Sequence, residues 1–139
     1  TRERPDDLAR TLAAVGRQDH QPDDILVVDN APSTARTREV VSSFPAVRYE
    51  VEPEPGLNRA RNHALRSARG EVVAFTDDDA APEPGWLAGL LANFEDPRVL
   101  VVTGLTLPLE LDTPAQELFE AYSPFARGFE RRVFDGHLD

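Results

Sequence analysis

The chain has 139 residues, 40% of them hydrophobic and 29% charged, which is apolar material for one globular core and not for two. Asp and Glu outnumber Lys and Arg by 25 to 15, a formal charge of −10, which argues against bulk affinity for nucleic acid. Cysteine is absent, which excludes disulfides, thiolate metal sites and cysteine nucleophiles, and no apolar run approaches the roughly 20 residues that span a bilayer. An opening as charged as TRERPDD does not read as a signal peptide. These features together favour the cytoplasm or the cytoplasmic face of a membrane. An acidic chain that binds a phosphorylated ligand needs local positive charge, from an arginine cluster, a helix N-terminus or a divalent cation.

Pro5 suits a first helical position, Asp6 and Asp7 suit a helix N-terminus, and Leu8, Leu12 and Val15 recur at helical spacing. These predict a helix over residues 5–18. The run ILVV, residues 25–28, predicts a short buried strand ending at Asp29 and Asn30. Ser33 or Thr34 is the expected cap of a second helix with Val40, Val41 and Phe44 on one face. Residues 47–51 alternate and predict a strand. Pro53, Pro55 and Gly56 mark a loop. Leu57, Ala60, Ala64, Leu65 and Ala68 then predict a third helix, closed by Gly70. Residues 72–75, VVAF, predict the next buried strand, which runs into Asp77, Asp78 and Asp79. Trp86, Leu87, Leu90, Leu91 and Phe94 predict a fourth helix, and residues 99–102 another strand. Residues 105–111 alternate leucine with Thr106, Pro108 and Glu110, as an edge strand would. A helix is expected after Thr113, followed by a polar tail. Alternating strands and helices imply an α/β fold, a mostly parallel sheet with helices on both faces. Ligands of such sheets sit at the carboxyl ends of the strands, where Asp29 and the three aspartates both fall.

Three adjacent carboxylates repel one another unless a cation or solvent intervenes. In an extended segment Asp77 and Asp79 project to the same side, about 6.5 Å apart at Cα. Two oxygens so placed suit Mg²⁺ or Mn²⁺ shared with a diphosphate. Asp78 would then face a ribose hydroxyl or the backbone. A solvated acidic turn capping the next helix is the plain alternative. Asp29 can accept a hydrogen bond from a base edge such as the imide N–H of uracil, or serve as a turn residue bonding its own backbone. Arg59 and Arg61, with the N–H groups of the helix start after Gly56, can face an anion. Otherwise they belong to a solvated helix face. His63 reads as a helix-surface residue, with no marked partner. Trp86 reads as a core anchor, the other possibility being the acceptor side of the cleft. No nucleophile elbow, phosphate-loop signature or paired-histidine zinc motif is present.

Five stretches in order resemble glycosyltransferase family 2, which has the GT-A fold. They are Thr1-Arg2 with Pro5-Asp6-Asp7-Leu8, Ile25-Leu26-Val27-Val28-Asp29-Asn30, Gly56-Leu57-Asn58-Arg59-Ala60-Arg61-Asn62, Phe75-Thr76-Asp77-Asp78-Asp79 and Pro84-Gly85-Trp86-Leu87. The resemblance covers about the first 105 residues. It implies a Rossmann-like sheet and an inverting hexosyl transfer from a nucleotide-diphosphate sugar to a hydroxyl of a glycan, lipid or small molecule. It implies Mn²⁺ or Mg²⁺ as cofactor, on a DXD-type motif. By the same resemblance Thr1 lies beside the base, Asp29 pairs with it and Arg61 helps hold it. Asp77 and Asp78 lie near the ribose and diphosphate, and Asp79 binds the metal.

Two departures matter. Family members carry a hydrophobic strand ending at the threonine matched by Thr1, and a base-bearing Glu-Asp motif further downstream. Neither is found in residues 1–139, and nothing around Asp135 or Asp139 matches the motif. No catalytic base is assigned. Residues 1–139 are therefore expected to form the donor-binding part of a glycosyltransferase domain, inactive by itself. A non-catalytic nucleotide- or metal-binding module is the competing reading. A phosphatase or phosphorelay domain is disfavoured, because no lysine follows any candidate strand.

Overall fold

The computed structural model describes residues 1–122 and 129–134. Asp135 and Asp139 lie outside the described residues. The chain divides into two compact units, Thr1–Leu100 and Val101–Asp139.

In the first unit, helix α1 spans Pro5–Val15 and buries Leu8, Leu12 and Val15 on one side. It stops three residues before the predicted end, where Gly16 follows it. Strand β1 is Ile25–Asn30 and strand β2 is Val47–Glu52. They pair in parallel, Ile25 opposite Val47 and Asn30 opposite Glu52. Helix α2, Arg36–Ser42, makes the crossover between them. Val27, Val41, Leu8 and Leu12 form the centre of the core, with Ile25, Val40, Phe44, Val47 and Tyr49 packed around them. One face of the sheet therefore lies under α1 and α2. Helix α3, Leu57–Ser67, covers the other face, with Ala60 buried. The segment VRYEVE decides this division: alternate residues of a strand face opposite ways, so Val47 and Tyr49 enter the core while Arg48, Glu50 and Glu52 line the side under α3. The fold is α/β, and among the described residues a parallel Rossmann-like sheet of two strands has helices on both faces.

Three predicted strands do not form. Residues 72–75 belong to no sheet, and Val72, Val73 and Phe75 are 39%, 40% and 47% exposed. Residues 99–102 and 105–111 are likewise irregular, with Leu100, Val101 and the leucines of 105–111 exposed. Apolar periodicity marks a segment that can be a strand, but the ladder requires a neighbouring backbone, and these segments have none among the described residues. Helix α4 is Trp86–Leu91, continued by a 3₁₀ turn at Ala92–Glu95 that includes Phe94. Trp86 is half-buried rather than a core anchor. The buried residue of α4 is Leu87, whose N–H donates to Gln18 Oε1 at 3.0 Å.

Two helix ends also differ. Ser33 and Thr34 do not cap α2, which starts at Arg36 without a side-chain cap, because both hydroxyls donate to Glu3. Gly70 does not close α3, whose last residue is Ser67. In the second unit helix α5, Pro114–Tyr122, begins with a capping box. Gln116 Oε1 accepts from the Thr113 N–H at 2.8 Å, and Thr113 Oγ1 accepts from the Gln116 N–H at 3.3 Å.

Candidate nucleotide-binding site

The carboxyl end of β1 is built by the first four residues of the chain. The Thr1 nitrogen donates to Val28 O at 3.0 Å, and the Asn30 N–H donates to Thr1 O at 2.9 Å. Ala31, on the β2 side, donates to Glu52 O at 2.7 Å. Successive residues of a strand point their backbone groups to opposite sides, so Thr1 sits beside Asp29 on the edge of β1 away from β2. Glu3 then reaches over the loop after β1. Its carboxylate accepts from the Ser33 N–H at 2.7 Å and from the Ser33 and Thr34 hydroxyls at 3.0 and 3.1 Å. The Ser33 N–H is the main reason the Glu3 carboxyl is held below its ordinary 4.5. Two residues here carry left-handed backbone without being glycine, Glu3 at φ 53° and Ala31 at φ 48°. Such conformations persist where surrounding contacts over-determine them, and the Glu3 bonds do so here.

Asp29 is fully buried. Its Oδ2 accepts from the Tyr49 hydroxyl at 2.8 Å, and its Oδ1 has no partner. Thr1 Oγ1 is the other buried side-chain atom without a partner among the described residues. Burial, and then the Asp29 carboxylate, pushes the Tyr49 hydroxyl above its usual 10.0, which keeps it a donor.

Arg4 links this end of the sheet to the acidic triplet. Its guanidinium lies 2.9 Å from Asp79 Oδ2 and 3.4 Å from Asp78 Oδ1. One four-residue segment thus touches both acidic ends, with Thr1 beside Asp29 and Arg4 on Asp78 and Asp79. Asp78 and Asp79 form a turn, not a strand continuation, so the alternation expected of an extended segment does not set where they project. Thr11 Oγ1 fixes that turn, 2.9 Å from Asp78 O and 2.7 Å from Ala80 O. Arg61 faces Asp77 Oδ1 at 3.8 Å, so Arg4 and Arg61 supply the positive charge the triplet needs. Among the described residues no group of three His, Cys, Asp or Glu is placed to hold a metal by protein ligands alone. Asp79, with an accessible carboxylate, fits a hard cation that takes its remaining oxygens from phosphate and water.

The start of α3 is less open to an anion than its sequence suggests. The Gly56 N–H donates to Asn30 Oδ1 at 2.7 Å, and Arg59 pairs with Glu54. His63 has two partners that sequence reasoning missed. Its ring nitrogens lie 2.8 Å from Glu50 Oε2 and 3.3 Å from Glu52 Oε2. Ser67 also donates to Glu50 at 2.6 Å and is the first cause of that carboxyl's lowered pKa, ahead of His63. The alternation of VRYEVE was a signal for this cluster, since it puts both glutamates on one face. Arg4, Glu3, Tyr49 and Thr11 had no comparable signal, because each acts on residues distant in sequence.

Comparison with known proteins gives the family of the chain. The family model described as glycosyl transferase family 2 matches residues 1–134, and the chain belongs to that family. It is 25% identical to a glucosyl-dolichyl phosphate glucuronosyltransferase of Haloferax volcanii, over 99% of this chain and 45% of that protein. It is 46% identical to a pre-mycofactocin glycosyltransferase of Mycobacterium tuberculosis, over 34% of this chain and 10% of that protein. A polypeptide N-acetylgalactosaminyltransferase 3 of Drosophila melanogaster is 27% identical, over 68% of this chain and 15% of that protein. The chain thus spans less than half the length of these relatives. No helix among the described residues is long and apolar enough to cross a membrane.

Proposed function

We propose that residues 1–139 are the donor-binding part of a glycosyltransferase domain and bind the nucleoside diphosphate of an activated sugar. The whole protein transfers the sugar, with inversion, to an acceptor hydroxyl. The observation that carries this reading is the pair of buried, unpartnered oxygens Thr1 Oγ1 and Asp29 Oδ1. A buried polar atom without a partner costs about 1–3 kcal/mol, so the pair favours a ligand that satisfies both. Asp29 Oδ1 only accepts and the Thr1 hydroxyl is free to donate. An N–H next to a carbonyl, as on the imide edge of uracil, answers both.

From there the ribose and diphosphate extend along residues 1–4 toward Asp77 and Asp78. Arg61 steadies the base side, and Asp79 holds Mn²⁺ or Mg²⁺. Bound there, the cation would neutralise charge developing on the leaving diphosphate. Arg4 holds Asp78 and Asp79 in place before the ligand arrives and adds positive charge beside the diphosphate. The acceptor belongs to a glycan, a lipid or a small molecule. The glucosyl-dolichyl phosphate in the name of the Haloferax relative is of the lipid kind. Such work suits the cytoplasm or the cytoplasmic face of a membrane.

Calorimetric titration with uridine diphosphate tests the reading. Binding should be tighter with Mn²⁺ or Mg²⁺ than with a chelator, and Asp79→Ala should abolish the difference. Equal affinity with and without metal in the unsubstituted chain would remove the metal from the proposal. Residues 1–139 alone should show no sugar transfer, since no catalytic base is assigned in them, and turnover by this chain would overturn that part.

A further inference from the structure

We infer that Tyr49 is a positioning residue that sets which nucleobase Asp29 accepts, by occupying one of its two carboxylate oxygens. The inference rests on the reading of Asp29 as the base partner. Tyr49 stands in register with Val27, two residues before Asp29 on the same face of the sheet, so its hydroxyl reaches forward to Asp29 Oδ2 at 2.8 Å. The ring is held from the other side by α2, where the Arg38 guanidinium stacks 5.1 Å from its centroid. Tyr49 is thus fixed at both ends, and Asp29 is left with Oδ1 as its one unpartnered oxygen in a fully buried side chain.

The consequence is chemical. A carboxylate with two free oxygens suits guanine, which presents two adjacent donors, the ring N–H and the exocyclic amino group. A carboxylate with one free oxygen suits uracil or thymine, which present a single N–H between two carbonyls. Cytosine presents a lone pair at that ring position and would meet the carboxylate with repulsion. The Thr1 hydroxyl answers a carbonyl beside the N–H, which guanine and uracil share, so it does not separate them. Tyr49 does. With Oδ2 already accepting from Tyr49, the guanine amino group would have to share that oxygen with the hydroxyl, a weaker bond that costs about tenfold in affinity. The bound class is therefore a uridine or thymidine diphosphate.

The test titrates uridine diphosphate and guanosine diphosphate, each with Mn²⁺, into the unsubstituted chain, Tyr49→Phe and Asp29→Asn. The phenyl ring keeps the Arg38 contact and the core volume, and a thermal melt of each variant checks folding. The unsubstituted chain should favour the uridine ligand by about tenfold or more. Tyr49→Phe should weaken the uridine ligand several-fold, strengthen the guanosine ligand, and so shrink the ratio between them. A purely structural tyrosine would shift both ligands together. If Asp29→Asn loses the uridine ligand while Tyr49→Phe leaves the ratio unchanged, the inference falls and the base-site reading stands. If Asp29→Asn binds both ligands as the unsubstituted chain does, the base-site reading falls and takes the inference with it. Should Tyr49→Phe melt early, Arg38→Ala, which frees the ring without removing the hydroxyl, should shrink the ratio in the same direction. An unchanged ratio there would also overturn the inference.

Discussion

Residues 25–30 and residues 72–79 are close to the same sentence written twice: ILVV followed by Asp29 and Asn30, and VVAF followed by Thr76 and three aspartates. The first is a buried strand with β2 on one side and Thr1 on the other. The second has no strand pairing and leaves its valines and phenylalanine substantially exposed. What separates them is the neighbour. β1 is joined to β2 by a compact crossover through α2, and six residues pair along its length. Residues 72–75 instead border a groove of about 440 Å³, shared with Ile25, Leu26, Trp86 and Leu87. An apolar run specifies a strand only together with the backbone it pairs to. The acidic residues behave accordingly: Asp29, behind a formed strand, is wholly buried, whereas Asp77 and Asp79 are mostly exposed and anchored by arginines.

The largest expected effect fills that groove. We expect an apolar strand of about five residues, fused ahead of Thr1, to extend the pairing that Thr1 makes along that edge of β1 and give residues 72–75 a partner. Burial of each large aliphatic side chain contributes roughly 1.5–3 kcal/mol, so the thermal midpoint should rise by many degrees. Amides of residues 72–75 should gain exchange protection. Unchanged exchange there would show that the segment is irregular for some other reason than a missing neighbour.

Truncation should separate the regions next. Leu12→Ala removes a side chain packed in the core with Val27 and should cost about 2–5 kcal/mol in denaturant unfolding. Val73→Ala should stay within about 0.5 kcal/mol. Equal costs would mean that residues 72–75 are packed as well as β1.

Asp29 and Asp79 sharpen the contrast between the two acidic ends. Asp29→Ala should weaken nucleotide binding by about 1–3 kcal/mol and leave metal dependence intact, the reverse of Asp79→Ala. Calorimetry at matched metal concentration reads both. Loss of metal dependence in the Asp29 variant would merge the two proposed roles.

The smallest effect is on pH. Glu3, Glu50 and Glu52 are all held below their ordinary 4.5, led respectively by the Ser33 N–H, the Ser67 hydroxyl and the Glu54 N–H. Each is depressed in the folded chain, so its contribution is complete above the ordinary value and is lost as pH falls through the folded one. Stability should therefore be level near neutrality and decline below about pH 4.5, and Glu3→Gln should flatten part of the decline. A melting midpoint independent of pH from 6 to 3 would show that these bonds contribute nothing.

The sequence by itself determined the helices α1 and α3 and the two strands that pair. Helical spacing in α1 and α3, strict alternation in β2 and the apolar run of β1 are written in neighbouring residues, because a helix closes its hydrogen bonds within a few positions and an alternating strand declares its faces. Asp29, Thr1, Arg61 and the triplet Asp77, Asp78 and Asp79 stand out as candidates in the sequence because they follow such elements in a recognisable order. The tertiary structure alone decided that residues 72–75, 99–102 and 105–111 stay unpaired, since pairing depends on a backbone that no local pattern names. It alone brought Tyr49 to Asp29, Arg4 to Asp78 and Asp79, and His63 between Glu50 and Glu52. These contacts join residues 20, 74, 75, 13 and 11 positions apart. Which oxygen of Asp29 remains free is likewise a property of the packed sheet: it depends on the register that sets Tyr49 beside Val27, and register is fixed only when both strands and the helices over them are in place.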